Sequence, residues 1–140
     1  MSMGMGKAIM TCLEKFLIFG GRATRAEFWW FYLFTVIVGF LAVPLEMFLE
    51  TKMITTGVGV AFLLPTLAAG ARRLHDTGRP GWLLAIPLLA IPLYAISAAA
   101  FGMGLLFGIA VVILLLCMPG QRGPNRWGPD PRLTPDIDAF

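Results

Sequence analysis

The residues that could do chemistry are confined to three short polar segments of the chain, residues 19–29, 72–82 and 119–131, each of which carries arginines. Guanidinium groups in excess over carboxylates suit the recognition of phosphate oxyanions, because the planar fork donates two parallel hydrogen bonds. Tryptophans placed among the arginines could stack on them. The composition of these segments therefore indicates either an anion-binding surface or a polar structural junction.

Both interpretations of the three segments stay open. As a binding surface, they would present arginines to an anionic ligand such as a phospholipid headgroup or a phosphorylated lipid intermediate. The arginines of this binding set are Arg22, Arg25, Arg72, Arg73, Arg79 and Arg126. As a structural clasp, arginines, acids and aromatic rings would hold short helices together. The other members of this clasp are Glu27, His75, Asp76, Asn125, Asp130, Trp29, Trp82 and Trp127.

Two ion pairs are expected within the clasp. Glu27 stands where a membrane boundary would fall, and an unpaired carboxylate there would be costly, so we expect it to pair with Arg72 or Arg73. Asp76 is expected to accept hydrogen bonds from neighbouring arginines or backbone amides. Its predicted arginine donors are Arg25 and Arg79.

His75, next to Asp76, raises the question of acid–base catalysis. Adjacent residues on a helix or turn do not generally face each other, and no serine or cysteine nucleophile stands in a recognisable motif. We therefore favour a structural histidine and assign no catalytic residue. The alternative is an enzyme acting on a lipid-linked phosphate, with His75 as acid or base and Arg72, Arg73 and Arg126 holding the charge.

Metal and cofactor binding have little support in the sequence. The chain has one histidine and two cysteines, Cys12 and Cys117, which are too far apart to form a known ligand motif. The carboxylates are scattered and fit no ligand spacing. We expect neither a metal nor a cofactor.

The composition determines the class of protein that must position these segments. Of 140 residues, 58% are hydrophobic and only 14% are charged, whereas a soluble domain has about 25% charged residues. These values exclude an ordinary soluble enzyme or a nucleic-acid-binding module, despite a pI near 9.2. The sequence therefore predicts an all-α integral membrane protein.

Three charge-free runs set the number of spans. Residues 28–45 and 53–71 each supply one span, because about 20 helical residues cross a hydrocarbon core. The third run, residues 81–118, is too long for one span and must fold back, most readily within the small residues 97–104. Four transmembrane helices are predicted, at about 27–49, 53–72, 82–97 and 104–118.

The basic residues predict the orientation of these spans. With four spans, ten of the 11 lysines and arginines fall on one side of the membrane, and only Lys52 falls on the other. Because this excess marks the cytoplasmic side, both termini are expected there. The whole chain, 1–140, would be a single membrane domain with a cytoplasmic tail at 119–140.

Residues 7–18 show apolar side chains at helical spacing opposite a polar face that includes Lys7 and Lys15. This pattern predicts a short amphipathic helix in the membrane interface. The alternative, a helix packed on the protein's own loops, stays open.

The three polar segments, taken together and in order, resemble the motifs of the bacterial inner-membrane family catalogued as domain of unknown function 805. The matching residues are Phe19, Gly21, Arg22, Arg25, Glu27, Phe28 and Trp29, then Arg72–Asp76, Arg79 and Trp82, then Gly120, Gly123, Asn125, Arg126, Trp127, Gly128, Asp130 and Pro131. The resemblance covers about residues 12–133, with Pro80 departing from the usual serine. It implies a location in the bacterial inner membrane and no established activity.

The function that follows is a non-catalytic accessory, scaffold or headgroup-binding module of the inner membrane. Its expected partners are the lipid bilayer, in particular anionic phospholipid, and either a membrane protein or a second copy of the chain, with no nucleic acid. An oligomeric transporter or channel is a weaker alternative, because inside the bilayer, away from the ends of the spans, the only polar groups expected are Thr35, Thr66 and, at the margin, Ser97.

Overall fold

The computed structural model describes residues 3–51 and 53–133, and within these ranges it is helical without β-strands. The elements in chain order are α1 (Met5–Glu14), α2 (Arg25–Leu49), α3 (Ile54–Asp76), the 3₁₀ helix η1 (Gly81–Ala95) and α4 (Ala98–Cys117). The chain divides into two compact units. Among the described residues, the first unit holds those within 3–19 and 26–69, and the second holds those within 20–25 and 70–133.

Three of these helices, α2, α3 and α4, are long and apolar enough to cross a membrane, and η1 is a shorter apolar helix. The predicted all-α membrane class is therefore confirmed. The four-span count and the orientation of the termini stay predictions. Residues 134–140 of the predicted tail, and Lys52, lie outside the described residues.

In the first unit, aromatic rings pack α2 against α3. Phe31 is fully buried, and its ring centroid lies 6.2 Å from that of Phe62 and 6.4 Å from that of Phe34. Phe34 and Phe62 meet edge to face at 5.7 Å, an arrangement that aromatic pairs prefer. At the other end of α2, the Glu46 carboxylate accepts from the Thr55 backbone N–H at 3.0 Å and from its hydroxyl at 2.6 Å, which satisfies the free donors at the start of α3.

Small side chains fix α1 in the first unit. Ala8 and Cys12, one turn apart, are fully buried, and Cys12 Sγ lies 3.9 Å from Glu27 Oε1. The helix ends at Glu14, four residues earlier than the sequence suggested. A different set of apolar side chains is left exposed on and after α1, namely Met10, Leu13, Phe16, Leu17, Ile18 and Phe19.

In the second unit, η1 and α4 form an antiparallel hairpin that meets along a line of small residues. A Cβ built on Gly108 would lie 2.7 Å from Pro87 Cα, and one built on Gly104 would lie 3.2 Å from Ala90 Cβ. Because a 3₁₀ helix has three residues per turn, Pro87, Ala90 and Leu93 fall in one row along η1. That row is the surface that α4 contacts.

The reversal between η1 and α4 is tighter than predicted. The fourth helix begins at Ala98 and not near residue 104, because Ser97 Oγ accepts the Ala100 N–H at 3.0 Å and caps the helix. The two glycines assigned to the turn, Gly102 and Gly104, lie inside α4. A serine side chain can accept a hydrogen bond from a backbone N–H at the start of a helix. Because Ser97 does so, α4 begins directly after it, and the turn lies before Gly102 and Gly104.

Candidate functional site

The candidate site lies in the second unit, where the Gly20–Arg25 segment, the end of α3 and the tail after α4 meet. The backbone N–H of Ala23 donates to Arg72 O at 3.0 Å, and the N–H of Gln121 donates to Asp76 O at 2.7 Å. These two bonds bring the segment before α2 and the tail to the last turn of α3. Carbonyl groups in the last turn of a helix have no helical partner, and the tail satisfies the one at Asp76.

Asp76, the last residue of α3, is the centre of the site. Its Oδ1 accepts from Arg22 Nε at 3.0 Å and from Arg22 Nη2 at 2.9 Å. Its Oδ2 accepts from Arg73 Nη1 at 2.5 Å. All three side chains are buried, and charge-assisted hydrogen bonds of this kind are the strong ones in proteins. We refer to Arg22, Arg73 and Asp76 as the Asp76 cluster.

The remaining donors of Arg22 hold the tail. Nη1 donates to Gly123 O at 2.5 Å, and Nη2 donates to Gln121 O at 2.5 Å. The tail passes so close to the carboxylate that a Cβ on Gly120 would lie 1.8 Å from Asp76 Oδ2. Glycine at position 120 is therefore required by space, and the guanidinium of Arg22 is occupied by protein oxygens.

The guanidinium of Arg73 is occupied in the same way by the end of α4. Nε donates to Leu116 O at 3.1 Å, and Nη2 donates to Met118 O. These carbonyls belong to the last turn of α4 and the residue after it, where helical hydrogen bonds run out. A cation at this position also interacts favourably with the helix dipole. Arg73 thus joins the C-terminal ends of α3 and α4.

His75 is fixed on three sides. Its Nδ1 lies 3.1 Å from Gly21 O, and because a carbonyl can only accept, Nδ1 carries the proton. Its ring stacks on Trp127 with centroids 4.7 Å apart and planes 9° apart. Nε2 faces the start of η1, where a Cβ on Gly81 would lie 3.4 Å from it. This geometry is that of a packed histidine at a junction of chain segments.

A tight turn in the tail carries Trp127. Asn125 and Gly128 exchange two backbone hydrogen bonds of 3.0 Å, and Asn125 Oδ1 accepts the Trp127 N–H at 3.0 Å. Asn125 Nδ2 donates to His75 O at 2.9 Å. Asparagine is suited to this position because its short amide can bond to the backbone two residues on. The turn is thereby attached to the end of α3.

Asp130 closes the tail at the edge of the site. It accepts from Arg132 Nε at 2.8 Å and from the Gly123 N–H at 3.0 Å. The hydrogen bonds from Arg132 are the main cause that lowers the pKa of Asp130 to about 2. Arg132 also donates from Nη2 to Gln121 O at 2.6 Å. Asp130 therefore stays ionised over the physiological range and fixes the loop between residues 123 and 132.

The structure divides the six predicted binding arginines into two groups. Arg22, Arg72 and Arg73 are buried. Arg25 and Arg126 are exposed, and Arg79 is partly exposed. The members of the predicted clasp that meet in the second unit are His75, Asp76, Asn125, Trp127 and Asp130.

Three predicted clasp residues lie elsewhere. Trp82 is the second residue of η1, and 69% of its surface is exposed. Glu27 and Trp29 belong to the first unit, where Glu27 is buried beside Cys12 and Trp29 packs edge to face on Phe28 at 5.2 Å. The pairing of Glu27 with Arg72 or Arg73 stays a prediction.

Sequence reasoning missed the true donors to Asp76 and the roles of Gln121 and Arg132. The sequence singled out Arg22 as part of a motif, but no spacing rule predicts that it contacts a residue 54 positions later. Gln121 acts mainly through its backbone carbonyl, which gives no side-chain signal at all. Among the described residues, no group of three or more His, Cys, Asp or Glu side chains could hold a metal ion.

The apolar helices and the polar junction define an α-helical membrane protein. A model of the family described as "Protein of unknown function (DUF805)" matches residues 16–129, and the chain belongs to this family. It is 33% identical over 132 residues to inner membrane protein YhaH of Escherichia coli (strain K12), covering 88% of this chain and 94% of YhaH. It is 34% identical over 126 residues to inner membrane protein YhaI of the same strain, covering 88% and 93%. No solved structure matches the chain.

Proposed function

We propose that this protein is a non-catalytic, four-span module of the bacterial inner membrane that binds anionic phospholipid headgroups through its accessible arginines. The observation that carries the proposal is the division of the arginines. Arg22 and Arg73 are buried, and their N–H groups donate to Asp76 and to backbone carbonyls. Arg25, Arg79 and Arg126 are at least partly exposed to solvent. A structural role for one group and a binding role for the other reconciles the two interpretations of the sequence.

The lengths of η1 and α4 support four spans. A 3₁₀ helix rises about 2.0 Å per residue, so the 15 residues of η1 extend roughly 30 Å. The 20 residues of α4 extend roughly 30 Å at 1.5 Å per residue. Both lengths match a hydrocarbon core of about 30 Å. In this arrangement the termini and the three polar segments share the cytoplasmic side, as the excess of basic residues favours.

The exposed apolar side chains on and after α1 support an interfacial position for this helix. One edge of α1 is buried against the protein through Ala8 and Cys12, while Leu17 is 61% exposed. Lys7 and Lys15 are exposed on the same segment. Apolar side chains flanked by lysines suit the boundary between anionic headgroups and acyl chains.

The geometry of His75 favours a module over the alternative enzyme. A general base needs a nitrogen within reach of a substrate proton. Here Nδ1 is committed to Gly21 O and the ring stacks on Trp127, so only Nε2 is left for such a role. The guanidinium groups that the enzyme would need for charge stabilisation include Arg73, whose donors are taken by protein oxygens.

The lipid-binding proposal is tested by native mass spectrometry of protein extracted gently from membranes. The triple variant Arg25→Ala, Arg79→Ala, Arg126→Ala should retain several-fold less phosphatidylglycerol and cardiolipin than the wild type. The same three positions changed to lysine provide the control, because charge is kept while the planar fork is lost. Equal lipid retention by the alanine variant would contradict headgroup binding. The same spectra report the number of subunits.

The orientation is tested separately with reporter fusions at the C-terminus. Activity of a cytoplasm-specific reporter is expected. Activity of a reporter that functions only outside the cytoplasm would contradict the four-span arrangement.

A further inference from the structure

The tail turn at 125–128 presents one arginine in a defined position. Arg126 stands at the tip of this turn, between the two residues that exchange backbone hydrogen bonds, Asn125 and Gly128. The turn is tied to α3 by the bond from Asn125 Nδ2 to His75 O and by the stacking of Trp127 on the His75 ring. The backbone of Arg126 is therefore held from both sides.

The side chain of Arg126 is also held. The central carbon of its guanidinium lies 3.8 Å from the centroid of the Trp127 ring, a cation–π contact. A guanidinium that stacks on an aromatic face keeps its N–H donors free, because these lie in its own plane and point away from its edges. Arg126 is exposed and makes no hydrogen bond to another described residue, so these donors are accessible to solvent.

We infer that Arg126, stacked on Trp127, is the principal phosphate-contacting residue of the proposed headgroup site, with the phosphate of a membrane phospholipid as its ligand. The inference rests on the proposed lipid-binding function and narrows it to one residue. The ordering entropy of a long arginine side chain is a main cost of binding an anion. The stack on Trp127 reduces that cost before the ligand arrives.

Arg126 differs from Arg22 of the Asp76 cluster in the use of its hydrogen-bond donors. The guanidinium of Arg22 is as firmly fixed, but its donors reach Asp76, Gln121 O and Gly123 O. Arg126 combines a fixed position with donors that no acceptor among residues 3–51 and 53–133 takes up. Tryptophan is also favoured at the headgroup level of membranes, where its ring is partly apolar and its N–H is polar.

Two sources could supply a phosphate group, a lipid headgroup or a soluble phosphate ester, and the experiment separates them. Protein reconstituted in detergent is titrated with short-chain phosphatidylglycerol and, in parallel, with glycerol phosphate. For the lipid, Arg126→Ala should weaken binding on the order of tenfold, as expected for loss of a charge-assisted bidentate contact. Arg126→Lys should lie between the alanine variant and the wild type.

The tryptophan provides the matched test of pre-organisation. Trp127→Phe keeps an aromatic face and should weaken lipid binding less than Arg126→Ala does. Thermal unfolding of every variant is measured alongside, so that a loss of binding is compared only among folded proteins.

Three results would overturn the inference. If Arg126→Ala binds lipid as the wild type does while the triple alanine variant loses lipid, the headgroup function stands and Arg126 is not its principal contact. If glycerol phosphate binds as tightly as the lipid, the ligand is a soluble phosphate. If the triple variant also retains lipid fully, the proposed function falls together with this inference.

Discussion

The Asp76 cluster and the hairpin of η1 and α4 both join distant parts of the second unit, but by opposite kinds of contact. In the cluster, two buried guanidinium groups share one carboxylate and donate their other hydrogens to backbone carbonyls. In the hairpin, Gly104 and Gly108 allow α4 to approach the row of Pro87, Ala90 and Leu93 with no polar group involved. The cluster depends on direction and charge, and the hairpin depends on shape.

This difference decides how each region can fail. A buried charge is costly when its partner is removed, because the remaining charge stays desolvated. A close-packed apolar contact is instead sensitive to added atoms, because a packed interior has no space to receive them. The two regions should therefore respond to different substitutions.

The largest effect is expected from Asp76→Asn. This change keeps the shape of the side chain and removes the negative charge that faces Arg22 and Arg73. Breaking a buried ion pair by removing one partner costs about 3–5 kcal/mol of unfolding free energy. Equilibrium unfolding in detergent micelles measures this loss.

The matched control for Asp76→Asn is Asp130→Asn, the same chemical change at the edge of the site. The side chain of its partner Arg132 is 42% exposed, so solvent replaces much of the lost interaction and the destabilisation should be clearly smaller. Equal losses at the two positions would show that the burial of the arginine partners does not set the strength of the Asp76 cluster.

The next largest effect is expected in the hairpin of η1 and α4, from Gly108→Ala. Gly108→Ala places a methyl group 2.7 Å from Pro87 Cα, a backbone atom that cannot turn away. Overpacking of this kind costs about 1–3 kcal/mol. Gly102→Ala in the same helix meets nothing within 4 Å, so it should be neutral or stabilising through helix propensity. The two melting temperatures in micelles provide the comparison, and similar values would argue against close packing between η1 and α4.

A smaller effect is expected at His75. His75→Phe keeps a flat ring for Trp127 but removes the donor to Gly21 O. The loss of one hydrogen bond should lower the unfolding free energy by about 1 kcal/mol. If His75 were a general base, the same variant would abolish function with normal protein level and stability. A complementation assay on the folded variant distinguishes the two roles.

The smallest effect is expected for the pH dependence of the stability that Asp130 contributes. The pKa of Asp130 is lowered to about 2 in the folded protein, against roughly 3.9 for an unfolded aspartate. A depressed folded-state pKa contributes stability above the unfolded value, and this contribution is lost as pH falls toward the folded value. The stability difference between wild type and Asp130→Asn should therefore shrink between about pH 4 and pH 2. A difference that stays constant over this range would contradict the role of the Asp130 carboxylate.

Much of the fold could be predicted because hydrophobic runs are local signals. The charge-free stretches predicted the helices α2 and α3, because a run of about 20 apolar residues without a charge is typical of a helix that can cross a membrane. The η1–α4 reversal was misplaced by several residues, since the sequence favoured the glycines of 102–104 over Ser97. The glycines proved to be contact residues within α4, a role that depends on the partner helix.

The candidate site was predictable in composition but not in pairing. The arginines, His75, Asp76 and Asn125 were recognised as unusual, and the structure brings several of them together. Arg73 lies three residues before Asp76 on α3, a spacing at which helical side chains meet. That Arg22 also meets Asp76 depends on how the Gly20–Arg25 segment folds over the end of α3, and no local rule contains that information. The sequence does not distinguish the six predicted binding arginines from one another. In the structure, burial distinguishes Arg22 and Arg73 from the exposed Arg126.

The sequence by itself determined that this is a helical membrane protein and that its polar chemistry is concentrated in three segments, because hydrophobicity and charge are properties of each residue and its neighbours. The tertiary structure decided which arginines are buried with their donors bonded to the protein and which are exposed. That decision depends on the saturation of hydrogen-bond donors by carbonyl groups brought from more than 40 residues away, as in the bond from Arg73 to Leu116 O. Donor saturation is a property of the folded chain, and composition does not contain it.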